Sequence, residues 1–149
     1  MKKLLLAVIV SLSTVTTAAL AEIKVGIILG FTGPIESLTP AMRDGARMAF
    51  DEASNSGNLL GGESITILEA DSTCVDSAAA TAAAEDLVAQ GVTAIMGADC
   101  SGVTGAINAN VAVPNGILMV SPSATSPGLS KVPAVSYTHL RAHETNSNR

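Results

Sequence analysis

The chain has 149 residues, a formal net charge of −5 and only 2% aromatic residues against 48% hydrophobic ones, so a core of domain size has to be built from small aliphatic side chains. Between Glu22 and Ala134, Lys24, Arg43, Arg47 and Lys131 stand against a dozen carboxylates, which excludes the basic face that nucleic acid requires. The same stretch has no histidine, which excludes a histidine zinc site and a Ser-His catalytic pair; no cofactor or metal is expected.

The opening "MKKLLLAVIVSLSTVTTAALAE" has a basic start at Lys2 and Lys3, an apolar run from Leu4 to Val10, and the small-x-small spacing Ala19-Leu20-Ala21. It reads as a secretory signal peptide over 1–21, cut before Glu22. The serines and threonines after Val10 are too frequent for a membrane span. Export then bears on Cys74 and Cys100, the only cysteines: an exported pair is more often bridged than free. Closing that loop would stabilise the fold by roughly 3 kcal/mol on the chain-entropy argument. Cys100 is thereby an anchor and not a nucleophile.

Residues 22–30, "EIKVGIILG", form a buried parallel strand ending in glycine, followed by a loop over 30–39 with the turn signal Gly33-Pro34. The spacing predicts a helix from Thr39, taken as N-cap with Pro40 at the first helical position. Ala41, Gly45, Met48, Ala49 and Glu52 are its predicted sheet-facing stripe. "SITILEAD" (64–71) is a second strand. Asp76 caps the alanine-rich helix that Gly91 stops, and "VTAIMG" (92–97) is a third strand. A helix over 101–113 and a fourth strand with its following loop over 116–125 complete the order β-α-β-α-β-α-β. Short connections in that order demand a parallel sheet with helices on both faces, an αβα lobe. Ligands on such sheets bind beyond the strand carboxyl ends, here the loops 30–39, 97–102 and 121–127.

The composition changes abruptly after Ala134. "VSYTHLRAHETNSNR" carries the chain's only histidines and tyrosine, and its first eleven residues resemble a translated adapter from transposase-based sequencing libraries. The lobe is therefore expected to occupy 22–134, with 135–149 an artefact in place of further native sequence. The His139/His143 spacing is not read as a metal pair.

"GADCSGVTG" (97–105) is the stretch richest in chemical possibilities. It has a Gly-x-x-x-x-Gly spacing, but Val103-Thr104 replaces the Lys-Ser/Thr of a phosphate loop. A Gly-x-Ser-x-Gly elbow would need glycine at Asp99. "GFTGP" after the first strand departs from the dinucleotide fingerprint. Capture of a small anion remains. Ser101 sits at a helix start, its hydroxyl and first-turn N–H groups expected to point outward. Thr125 could donate to the same carboxylate, and the carbonyl of Ser123 or Ala124 could accept from an ammonium. The alternative stays open that Ser101 only caps its own helix and 121–127 is only a turn.

Taken together, "IKVGIILGFTGPI", "RDGARMAFDEA", "ADSTCVD", "GADCSGVTGAI" and "GILMVSPSATSPGLS" resemble the N-terminal lobe of type I periplasmic binding proteins. More narrowly, they resemble the branched-chain amino-acid receptors of ABC importers. The resemblance runs from Ile23 to about Ser130. It implies two α/β lobes around a ligand, of which only part of the first is present. It also implies no enzymatic activity, a periplasmic monomer, and delivery of an amino acid or similar small carboxylate to an inner-membrane permease. Within the site it implies a Cys74–Cys100 disulfide, Ser101 and Thr125 on the ligand carboxylate, the Ser123/Ala124 backbone near the ammonium, and Leu38 or neighbouring Ser37, where relatives often carry an aromatic lid, near the ligand side chain. Two alternatives are carried beside it: a ligand-sensing relative feeding a signalling receptor, and an exported α/β enzyme with its catalytic residues in the missing half.

Overall fold

The computed structural model describes residues 22–131; the signal-peptide reading of 1–21 and the adapter reading of 135–149 lie outside them. Four parallel strands, β1 (Ile23–Leu29), β2 (Ile65–Asp71), β3 (Ala94–Gly97) and β4 (Leu118–Val120), pair in the order β2-β1-β3-β4. The connecting helices are α1 (Thr39–Asn55), α2 (Ser77–Ala89) and α3 (Ser101–Ile107). From α3 the chain continues through a π turn (Asn108–Ala112) into the short α4 (Val113–Asn115), so the third predicted helix is present but widened at its centre. A 3-10 turn, Pro127–Lys131, closes the described chain.

Strand order reverses between β1 and β3: the chain moves outward to β2, then returns across β1. That reversal opens a crevice between the carboxyl ends of β1 and β3.

The two faces of the sheet are unequally covered. On one, Ile28, Ile95 and Met119 meet Ala80, Ala84 and Leu87 of α2 and Val103, Ile107, Val111 and Ala112 of the third helical segment. Alanine lets α2 lie close to the strands. Gly26 has the same effect from the sheet side, since a Cβ there would come within 2.9 Å of Leu87 Cδ1. The caps of α2 match the sequence: Asp76 accepts from the N–H groups of Ala78 and Ala79, and Gly91 leaves the helix at φ +88°.

α1 lies on the other face and differs from expectation in two ways. Leu38 is its N-cap, whereas Thr39 is fully buried and donates its hydroxyl to the Glu36 carbonyl, which prevents the capping geometry. The predicted stripe Ala41, Gly45, Met48, Ala49 and Glu52 faces solvent. The less exposed positions are Thr39, Met42, Arg43, Ala46, Phe50, Ala53 and Ser54, a stripe rotated to bring Phe50 over the strands. In a helix of small residues the apolar spacing is too uniform to fix its rotation. Arg47, pulled toward β2 by its ion pair with Glu69, supplies a second orienting contact.

Beside Phe50 no further element covers the sheet among the described residues. Val25, Ala94, Met96, Leu118 and Val120 line an open apolar depression of about 290 Å³ that runs to the outer edge of β4, which pairs with no further strand among the described residues. An uncovered apolar face next to an open strand edge favours self-association. The 149-residue chain, expressed as it stands, is predicted to bind a hydrophobic dye and scatter light as oligomers, and Val120→Lys should raise the monomeric fraction. Monodisperse wild-type material that unfolds cooperatively would contradict this.

Candidate functional site

The crevice is built where the chain leaves β3. Gly97 has φ +133°, and a Cβ there would lie 2.0 Å from the carbonyl oxygen of Ile28, so only glycine lets β3 end this close to β1. The next two residues become a backbone hub. The Ala98 carbonyl accepts from the hydroxyls of Thr104 and Ser121, and the Asp99 carbonyl accepts from Ser123 Oγ at 2.8 Å. The loop after β4 is thus tied directly to the start of α3. Ser121 Oγ also accepts from the N–H of Ala124 at 2.8 Å, which folds 121–124 into a tight turn.

Ser101 and Thr125 are brought together. Ser101 Oγ accepts from the N–H groups of Thr125 and Ser126, each at 3.1 Å. The hydroxyl expected to point outward is turned onto the neighbouring loop, and the loop is held by it. Its oxygen lone pairs are occupied, which leaves the hydroxyl proton as the group able to donate. The carbonyls of Ser123 and Ala124 accept no hydrogen bond among the described residues. Leu38 stands apart on the first loop, 57% exposed, with its N–H on the Ile35 carbonyl.

Cys74 and Cys100 are bridged, with Cα atoms 5.2 Å apart across a sequence separation of 26. The bridge fastens the residue before Ser101 to the loop after β2. That loop holds two consecutive non-glycine residues at positive φ, Thr73 (+55°) and Cys74 (+70°). For β-branched Thr73 this conformation costs on the order of 1–2 kcal/mol. Asp71 offsets the cost. Its carboxylate accepts from the Thr73 N–H at 2.8 Å and from the Thr32 hydroxyl at 2.6 Å, so it also clasps the loop after β1. Gly33 lies against the Thr73 carbonyl, where a Cβ would approach to 2.5 Å.

Sequence reasoning passed over two acids here. By sequence Asp71 is the last residue of a strand and part of "ADSTCVD", with no role of its own. By sequence Asp99 is a misfit to a nucleophile elbow and part of "GADCSGVTGAI", yet it is 3% exposed, and its carboxylate accepts from the Gly30 N–H (2.8 Å), the Cys100 N–H (3.0 Å) and Ser72 Oγ (3.3 Å). The signal available was position: both acids sit at or just past a strand carboxyl end, where backbone N–H groups lack ladder partners.

Partial burial raises the Asp71 pKa, but the hydrogen bonds from Thr32, Thr73 and Phe31 outweigh it and hold the carboxyl below its ordinary 3.8. Because the folded group titrates below the unfolded one, its stabilisation is complete above the unfolded value and is lost as pH falls through the folded one. Asp71→Asn is therefore predicted to lower the thermal midpoint at neutral pH and to flatten the acid limb below about pH 4. A variant with the wild-type midpoint at pH 7 would contradict the clasp.

The family model described as "Periplasmic binding protein" matches residues 22–147, a span that takes in most of 135–149. The Leu/Ile/Val-binding protein BraC3 of Rhizobium johnstonii is 33% identical over 129 residues, 87% of this chain and 34% of its own length. The leucine-specific-binding protein of Salmonella typhimurium is 32% identical over the same shares. Among solved structures, the branched-chain amino-acid transporter substrate-binding protein LivJ of Streptococcus pneumoniae, in complex with isoleucine, aligns with a TM-score of 0.67 at 34% identity, covering 74% of this chain and 31% of that one. The chain spans about a third of the length of the relatives it matches. A parallel αβα sheet with its crevice at the β1/β3 reversal, and a family match over most of its residues, make this chain a member of the periplasmic binding protein family, with relatives among the branched-chain amino-acid substrate-binding proteins of ABC transporters.

Proposed function

We propose that the full-length protein is an exported solute receptor of an ABC importer that binds an amino acid of the branched-chain type, and that this chain supplies the half-cleft that holds the ligand's carboxylate. The observation that carries the reading is the Ser101–Thr125 junction. A hydroxyl whose oxygen already accepts two N–H bonds is polarised toward donation. It sits at the first turn of a helix, where the backbone N–H groups of Ser101, Gly102 and Val103 have no partners among the described residues. A carboxylate set there gains charge-assisted hydrogen bonds worth roughly 1.5–3 kcal/mol each. The Ser123 and Ala124 carbonyls, free to accept, lie on the same loop and suit an ammonium. Leu38, exposed on the loop after β1, is the residue assigned to the ligand side chain in this reading.

The function follows from holding without reacting. The site offers donors and acceptors in fixed positions, and the crevice between β1 and β3 is closed by a second lobe supplied by the rest of the parent polypeptide. Release to a permease is then set by opening of the lobes. The periplasm, a monomeric state and the signal peptide over 1–21 belong to the same reading. So does the adapter origin of 135–149, which rests on that string alone.

In the full-length protein, Ser101→Ala and Thr125→Ala should each weaken leucine binding by about tenfold in calorimetric titration, consistent with one charge-assisted bond. Wild-type affinity in both variants would remove these residues from the site.

A further inference from the structure

Asp99 is buried without a cation. Among the described residues the ion pairs are Arg43–Asp44 and Arg47–Glu69, and neither reaches it. A buried carboxylate is costly unless its lone pairs are satisfied, and an apolar residue of similar size would fill the same space without that cost. What an apolar residue could not do is accept two backbone N–H groups from different strand ends at once. Oδ2 takes Gly30, the residue after β1; Oδ1 takes Cys100, the residue before Ser101, and also the Ser72 hydroxyl, from the residue after β2. Gly30 and Ser72 are each one step beyond the last paired residues, Leu29↔Asp71, and Cys100 is three residues beyond Gly97, the last paired residue of β3. Contact is close throughout: a Cβ on Gly30 would lie 3.3 Å from Asp99 Oδ2 and 3.2 Å from Cys74 Cβ.

We propose that the buried Asp99 carboxylate is a positioning residue of the ligand cleft, fixing the loop after β1, which carries Leu38, at a set distance from Ser101. Backbone donors at 2.8 and 3.0 Å on opposite oxygens make the carboxylate a rigid spacer across the crevice. Ser101 is then held from both sides: through the Cys100 N–H below it and through the Thr125 and Ser126 N–H groups on its oxygen. The inference rests on the reading of Ser101 as a carboxylate donor, but the spacing it assigns to Asp99 is separately measurable.

The test uses the full-length protein with Asp99→Asn, Ser72→Ala and, as a control destabilised in α2 away from the cleft, Ala84→Gly. Because Gly30 and Cys100 donate to opposite oxygens, an asparagine must turn its NH2 group toward one of these two N–H donors and cannot serve both. Asp99→Asn should weaken L-leucine binding about tenfold and Ser72→Ala about two- to threefold, while Ala84→Gly lowers the thermal midpoint and leaves affinity unchanged. Amide hydrogen exchange should speed up in Asp99→Asn at both 30–38 and 100–104 relative to the control. If Asp99→Asn does not fold, Ser72→Ala carries both readouts. Wild-type affinity together with control-like exchange in the folded variants would overturn the proposal. A wild-type protein that binds no branched-chain amino acid would sink the receptor reading instead, and exchange at the two loops would still decide the role of Asp99.

Discussion

A side chain at position 97 would collide with the Ile28 carbonyl, and most of the cleft geometry descends from that contact. Because glycine stands there, β3 ends against β1 and the next carbonyls, those of Ala98 and Asp99, become acceptors for Thr104, Ser121 and Ser123. The same turn buries the Asp99 carboxylate between the ends of β1 and β2. Ser101 then begins a helix whose first residue already holds the loop after β4. No single bond in this set is strong by itself. Their effect is cumulative, since each fixes a group that another bond uses.

The strands determine where the cleft lies, and four loops determine what it presents. Two clasps join neighbouring loops: Asp71 links those after β1 and β2, and the disulfide links those after β2 and β3. The serine hydroxyls link those after β3 and β4. Loops tied this way hold their donors at fixed positions, and under the proposed reading that preorganisation would limit the entropy lost on binding. The opposite end of the economy is visible on the α1 face. There the sheet beside Phe50 is uncovered among the described residues, in keeping with a chain that spans about a third of its relatives.

Much of this was legible in the sequence, and the parts that were not share a cause. The four strands, the alternation with helices, the Asp76 cap and the bridged cysteines follow from local signals: β-branched runs, a capping acid, and two cysteines behind an opening segment that reads as an export signal. The rotation of α1 did not, because Ala41, Gly45 and Ala49 carry too little apolar contrast against Ala46 and Ala53 for spacing to choose a face. Thr39 fits an N-cap by residue type, and only its burial under the first loop reassigns its hydroxyl. Asp99 was opaque for a further reason. Its partners are backbone N–H groups of residues 30 and 100 and the hydroxyl of Ser72, and the contact to residue 30 exists only once β1 and β3 are neighbours. Ser101 and Thr125 are paired in the sequence by the anion-capture reading and again by the resemblance, while the direction of the bond between them, from the loop N–H groups onto the serine oxygen, is a product of tertiary structure.

The central claim is that the Ser101 junction recognises a carboxylate. The most direct measurement is calorimetric titration of the full-length protein and its Ser101→Ala variant with L-leucine and with L-leucinamide, which keeps the ammonium and side chain and removes the negative charge. The account predicts that the wild type prefers leucine over the amide by well over about tenfold, and that the preference shrinks by about tenfold in the variant. Equal affinity of the wild type for both ligands, or an undiminished preference in Ser101→Ala, would contradict it.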